Sequence, residues 1–234
     1  MARIILVGGG SSSGKSYVTR AVIDNIGKEY ITRITIDDYY KDQSDMPFEE
    51  RVKVNYDHPK AFDWPLIRSQ ISALKEGKTI EKPIYDFTVH NRKKETETIV
   101  PKKLVVVEGI MALVDRRLRD LGDLKVFISA SHERRFLRRI IRDHKERKRT
   151  FENIINQYFT TVQPMFDEIV APSSNYADVI VNNDGVKNLA IDVLTVAFKE
   201  ELEKALDTGH HDAILEEEFT EEVLEKVFVD SNKL

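Results

Sequence analysis

A doubly wound α/β fold with a mostly parallel sheet is what this sequence of 234 residues predicts, and three observations carry it. Short runs rich in Val, Ile and Leu, at residues 3–7, 31–36, 104–107, 125–128 and 178–181, suit strands covered on both faces. Segments of helical spacing alternate with them, as strand, crossover and strand units require. The first apolar run passes directly into Gly- and Ser-rich residues that open a helix.

Taken in order, the first helix spans 16–26 and the second strand 31–36. Residues 37–60 form a long polar connection with Pro47 and Pro59, a length that in a compact domain marks a functional or mobile segment. Helix 65–75 carries Leu66, Ile67, Ile71 and Leu74 on one side. Residues 79–85 and 95–100 are β-leaning and flank a polar connection with His90, Asn91 and Arg92, which predicts a hairpin projecting from the core. Helix 133–147 carries Phe136, Leu137, Ile140 and Ile141, and an opposite stripe of Arg135, Arg139 and Arg142. There is no internal repeat. The expected organisation is one unit over 1–207, with the hairpin insertion at about 79–100, and an acidic tail over 208–234 that reads as a loosely attached helix or a disordered segment.

Composition narrows the class. Hydrophobic residues make up 41% and charged residues 32%, enough for a real core, and the formal charge is −4. Cysteine is absent, which excludes disulfide scaffolds, thiol catalysis and Cys-ligated zinc. The run over 4–7 is too short for a signal sequence or a membrane span, so a cytoplasmic protein without membrane partners is expected. Charge is uneven. Residues 200–234 hold 12 acidic and 3 basic side chains, whereas residues 132–149 hold 9 Lys or Arg against 3 acids. That basic patch suits a polyanionic small molecule or nucleic acid, or is a solvated helix face.

Chemistry concentrates at strand ends. Gly9, Gly10, Ser11, Ser12, Ser13, Gly14, Lys15 and Ser16 fit G-x-x-x-x-G-K-[ST]. In that pattern glycines let backbone N–H groups face phosphate oxygens, the Lys adds a compact positive charge, and the Ser can ligate Mg²⁺. The alternative is a turn that caps a structural helix. Asp37 and Asp38 follow the second strand and Glu108 ends the third. Carboxylates there can hold Mg²⁺ or take a proton from a substrate hydroxyl; turn-capping and a strand-end salt bridge are the structural alternatives. The remaining histidines, apart from His90, lack metal-ligand spacing.

Several ordered motifs then meet a known pattern. Residues 8–16, Ile36-Asp37-Asp38-Tyr39-Tyr40-Lys41, Asn55-Tyr56-Asp57-His58-Pro59, the stretch 83–92, Val107-Glu108-Gly109-Ile110, Arg138-Arg139-Ile140-Ile141-Arg142-Asp143 and Gln157-Tyr158 resemble the uridine (uridine-cytidine) kinases, in order from about residue 3 to about 195. The resemblance implies a P-loop NTPase-type fold, ATP (or GTP) and Mg²⁺ as cofactors, and uridine or cytidine as substrate. It implies Asp37 as base toward the ribose 5′-hydroxyl, Arg142 over the phosphates, and Ser16 and Glu108 serving the metal, which adds to the residues' own chemistry, by which Lys15 sits on the phosphates and Asp37 can also hold the metal. Tyr56 and Asp57 would line the nucleoside site, with Asp57 on the ribose hydroxyls. Tyr85, Phe87 and His90 would surround the pyrimidine, and Arg139, Arg149 and Gln157 would contact substrate. It further implies a homotetramer. Without it, Tyr56, Tyr85 and Phe87 are core aromatics, His90 a surface residue and the Arg stripe a solvated face.

The sequence departs from that pattern at three places. Asp38 stands where Ser or Arg is usual, Lys148 replaces a Gly, and Asn182-Asn183-Asp184-Gly185 replaces a Pro-x-Gly-Gly stretch. Competing readings are another small-molecule kinase, of phosphoribulokinase or pantothenate kinase type, which lacks the hairpin signature, and a nucleotide-dependent switch, which wants an Asn-Lys-x-Asp tetrad that is missing here. Nucleic-acid binding through the basic patch is the weakest, and no nucleic-acid partner is expected.

Overall fold

The five apolar runs pair side by side in one parallel sheet, in the order β2-β5-β1-β6-β7, within a computed structural model that describes residues 1–185 and 189–207. The strands are β1 (Arg3–Gly8), β2 (Ile31–Thr35), β5 (Leu104–Glu108), β6 (Leu124–Ser129) and β7 (Val179–Asn182). Alternation along them feeds two apolar layers. Ile4, Leu6, Val105 and Val107 face one layer with Ile67, Ile71 and Leu74 of the helix Trp64–Lys75. Ile5, Val7, Leu104 and Val106 face the other, with Val18 and Val22 of the first helix and Leu194, Phe198 and Leu202 of the last. Because Val7 and Thr35 both register with Glu108 across their strand pairs, the ends of β1, β2 and β5 finish at one level. That level is the crevice where open α/β sheets bind ligands.

Among the described residues, eight α-helices follow in chain order. They are α1 (Lys15–Ile26), α2 (Phe48–Arg51), α3 (Trp64–Lys75), α4 (Arg116–Arg119), α5 (His132–Lys145), α6 (Phe151–Gln157), α7 (Gln163–Met165) and α8 (Leu189–Leu206). Side chains start several of them: Asp63 caps α3 by accepting from Leu66 N (3.2 Å), and Asp115 caps α4 by accepting from Leu118 N (2.8 Å). Between α6 and the 3₁₀ turn Pro172–Tyr176 the chain loosens into π turns at Tyr158–Val162 and Phe166–Val170. Two causes are visible. Pro164 has no N–H to give to the preceding turn, and the Thr160 and Thr161 hydroxyls donate to the carbonyls of Asn156 and Gln157 (2.8 Å each).

The structure corrects three expectations. The hairpin is β3 (Ile80–Asp86) paired antiparallel with β4 (Asn91–Ile99), so Asn91 and Arg92 lie in a strand and not in the connection. Arg92 explains the early start: its guanidinium donates to the carbonyls of Tyr40 (2.6 Å) and Tyr39 (3.2 Å), which pins the strand to the core. The second correction concerns α5. Leu137 and Ile141 are more than half exposed, while Arg135, Arg139 and Asp143 are its buried residues, so its charged stripe turns inward. Arg135 is housed by stacking over the Phe166 ring (3.5 Å) and by donating from Nε to the Ala130 carbonyl (3.2 Å). Third, the expected polar connection over 37–60 holds α2 and the 3₁₀ turns Ile36–Tyr39 and Pro59–Ala61. The expected acidic tail, 208–234, lies outside the described residues.

Asp38, one of the departures noted above, acquires a partner here. It accepts from Lys82 of β3 (2.6 Å), a buried ammonium that also lies 3.2 Å from Glu97 of β4. The pair ties the hairpin to the end of β2. Lys82→Met alone leaves a carboxylate without its counterion, and should destabilise the full chain by about 1–3 kcal/mol. Adding Asp38→Leu should recover most of that loss, because apolar replacement of both partners is often neutral. Thermal unfolding of the two variants checks this; equal losses in both would count against the pair.

Candidate active site

Residues 9–16 carry the chain from β1 into α1. Gly9 has φ +144°, and a Cβ there would sit 2.4 Å from the Ile128 carbonyl, so the glycine lets the loop pass β6. Ser13 N donates to the Gly10 carbonyl (3.1 Å), and Lys15 Nζ folds back onto the same oxygen (3.4 Å). The first N–H groups of α1 have no carbonyl four residues back within the helix, and the helix dipole makes this end attractive to an anion. Burial pushes the Lys15 ammonium below its ordinary pKa, while Asp37 and Glu108 pull it back up.

The acids stand opposite. Asp37 is the second residue of the 3₁₀ turn after β2, and burial raises its pKa against the pull of Lys15. Glu108, almost fully buried, pairs with Arg33 through Oε1, so the strand-end salt bridge weighed from sequence is present. Its Oε2, together with Asp37 Oδ1, is buried without a hydrogen bond among the described residues. Ser16 lines the same cleft. Two free carboxylate oxygens and a hydroxyl are hard donors of the kind Mg²⁺ takes when phosphate and water fill the rest of its shell. Among the described residues there is no group of three or more His, Cys, Asp or Glu that makes an all-protein metal cage.

A cleft of about 720 Å³ runs from this centre toward the hairpin. Ser11, Lys15 and Ser16 line it from the loop between β1 and α1, and Gly9, Gly10, Ser12, Ser13 and Gly14 make up the rest of that loop without lining the cleft. The other wall is aromatic. Tyr40 meets Tyr56 edge-on (5.0 Å) and Tyr85 at the same separation, Tyr85 meets Phe87 (5.1 Å), and the His90 imidazole stacks on Tyr56 (5.3 Å). The Tyr56 hydroxyl is anchored on the Gln43 amide oxygen (2.9 Å) and the Arg51 carbonyl (3.0 Å). Burial, with Arg149, Arg51 and Arg147 nearby, lowers the His90 pKa, so the ring is neutral at neutral pH. Asp57 is half-buried near Arg139, Lys15 and Arg142; loss of solvent raises its pKa and those cations pull it down.

Arginines close the third side. Arg139 donates to Ser11 Oγ and to Gln157 Oε1 (2.8 Å each), and Arg149 donates to the same Gln157 oxygen (2.7 Å). Arg142, Arg139, Arg147 and Arg149 all gather on one carboxylate, Asp143, which is fully buried, at 2.8, 3.6, 3.4 and 3.7 Å respectively. Asp143 therefore sets the spacing of four guanidinium groups. Sequence reasoning quoted Asp143 within a motif without giving it work, and missed Arg147 and Tyr40, which line the cleft. The signal for Arg147 was present in the basic run over 132–149. Every other residue expected at the site, namely Tyr56, Asp57, Tyr85, Phe87, His90, Arg139, Arg142, Arg149, Gln157, Asp37 and Glu108, lines the one cleft.

Known proteins resemble this chain over most of its length. A uridine kinase of Ligilactobacillus salivarius is 47% identical over 201 residues, which cover 86% of this chain and 94% of that one. A uridine kinase of Deinococcus deserti is 47% identical over 196 residues, covering 84% and 95%. The solved structure of a phosphoribulokinase from Rhodobacter spheroides shares the fold, with TM-score 0.65 at 12% identity over 88% of this chain and 99% of that one. Residues 4–190 match the Phosphoribulokinase / Uridine kinase family, and the chain belongs to that family.

Proposed function

We propose that the chain is a nucleoside kinase that moves the γ-phosphoryl group of ATP (or GTP) onto the 5′-hydroxyl of uridine or cytidine. One observation carries this reading most: a single cleft joins an anion-binding loop to an aromatic chamber, and six Lys and Arg side chains line it against three carboxylates. An excess of positive charge at the loop suits a triphosphate, and aromatic faces suit a planar base. The relatives named above are uridine kinases.

Phosphoryl transfer needs positioning and charge neutralisation more than covalent chemistry. Loop N–H groups and Lys15 hold the phosphates, and Arg142 meets the charge that spreads over the transferred group. Asp37 orients the 5′-hydroxyl and takes its proton. Ser16, Asp37 and Glu108 are the residues that hold Mg²⁺, which when bound neutralises phosphate charge. Asp57 accepts from ribose hydroxyls, Tyr56, Tyr85 and Phe87 enclose the pyrimidine, and neutral His90 addresses its edge. Arg139, Arg149 and Gln157 complete the substrate side. A coupled ADP-release assay with uridine, cytidine, thymidine and adenosine tests the assignment; no stimulation by any of them would overturn it.

His90 has φ +51°, a backbone that Asn also adopts readily. His90→Asn therefore keeps the turn while withdrawing the imidazole from the base. The uridine KM should rise by roughly 5- to 150-fold, the equivalent of about 1–3 kcal/mol for a lost polar contact. The ATP KM should stay where it is. An unchanged uridine KM would remove His90 from the base site.

A further inference from the structure

The loop after β7, Asn182-Asn183-Asp184-Gly185, is one of the three departures noted from sequence, and it grips the loop between β1 and α1. Asn183 Nδ2 donates to the Ser13 carbonyl (2.8 Å), and Arg138 Nη1 donates to the same oxygen (3.1 Å). Arg138 Nη2 donates to the Asn183 carbonyl (2.8 Å), which closes a ring of three hydrogen bonds among α5, the β7 loop and the phosphate loop. The next residue fixes the loop to the start of α5: both Asp184 carboxylate oxygens accept from Ser131 N (2.9 and 3.0 Å). Gly14 leaves room for the grip, since a Cβ there would lie 2.2 Å from Asn183 Nδ2.

The consequence follows from peptide geometry. A trans peptide sets its C=O and N–H on opposite sides, so two donors that hold the Ser13 oxygen outward turn the Gly14 N–H the other way. The joint is otherwise permissive. Ser12 has φ +61° and Gly14 φ +92°, and a glycine accepts either sign of φ at little cost. Without the grip the peptide between residues 13 and 14 can rotate and present a carbonyl oxygen to the phosphates, which repels them. We propose that Asn183 and Arg138 are positioning residues for the nucleoside triphosphate, acting by locking the Ser13–Gly14 peptide with its N–H toward the phosphates. This rests on the reading of the loop as the triphosphate site.

The test measures binding to the full chain by calorimetry, with ATP, inorganic tripolyphosphate and uridine as separate probes, for wild type, Asn183→Ala and Arg138→Met. Each variant should bind ATP and tripolyphosphate about tenfold more weakly, as expected for one lost hydrogen bond on a preorganised site. Uridine affinity should not change. Removing both donors should cost less than the product of the single losses, because they share one acceptor. Wild-type ATP affinity in both variants would overturn the positioning role while leaving the kinase reading intact. Weaker ATP binding with undiminished tripolyphosphate binding would also overturn it, since the two side chains would then be touching the base. Failure of the wild-type chain to bind ATP at all would overturn the kinase reading itself.

Discussion

Asp37→Asn is expected to lower uridine-dependent turnover by about 10²- to 10⁴-fold, the range for loss of a general base, while ATP still binds. The substitution keeps the volume of a half-buried side chain in the 3₁₀ turn after β2 and removes its capacity to take a proton. Lys15, which feels Asp37 as its largest attractive neighbour, remains in place for its proposed role on the phosphates. In a nucleotide switch there is no acceptor hydroxyl, and the same change would alter only slow hydrolysis. The measurement is nucleoside-stimulated ADP release by wild type and variant, with ATP affinity determined alongside. A variant that retains most of the stimulated rate would show that another group receives the proton.

Asp143→Asn is expected to have the largest effect on stability. Its carboxylate is fully buried among four guanidinium groups, one of which, Arg139, is itself buried. Removing one partner of a buried ionic cluster costs about 3–5 kcal/mol. For a chain of this size each kcal/mol moves Tm by roughly 2–4 °C, so a fall on the order of 10 °C is expected. Burial pushes the Asp143 pKa up, but Arg142, Arg147 and Arg139 outweigh it and hold the group below its ordinary value of 3.8. A carboxylate with a depressed native pKa contributes its full stability above the unfolded value, and loses it as pH falls through the native one. The stability gap between wild type and Asp143→Asn should therefore be flat through neutral pH and close only in acid below 3.8. A gap that narrows above that pH, or a variant as stable as wild type, would refute the hub.

The sheet was legible because its strands are buried on both faces, and only apolar runs such as Val105-Val106-Val107 survive there. The phosphate loop was legible because its chemistry requires particular residues at a particular spacing. What escaped was governed by contacts between distant residues. In α5 the larger apolar residues pointed to one face, yet Leu137 and Ile141 lie outside because Arg135 and Arg139 have a phosphate loop and a Phe166 ring to meet. The segment from Phe151 to Tyr176 offers no clean period because π turns interrupt it. No helix was expected over α8, although Ile191, Leu194, Phe198 and Leu202 recur at helical spacing and are buried. At the cleft, the single residues with distinctive chemistry fall together along its walls, whereas Asp143 was missed because its contacts come from four neighbours.

The alternation along β5 has a further meaning for how the Glu108 carboxylate at its end is kept in place. Leu104 and Val106 belong to one apolar layer, Val105 and Val107 to the other, and Glu108 comes next in the same alternation. A slip of one residue in this strand would send all four to the wrong side at once, and would bring Val107 or Gly109 to the level now held by Glu108. Four greasy side chains thus act as a check digit for one acid. Point changes within β5 that keep their bulk can be absorbed, whereas a single-residue insertion or deletion in the strand would misplace the carboxylate and both layers together, which makes the strand an indel-intolerant ruler for the chemistry at its tip.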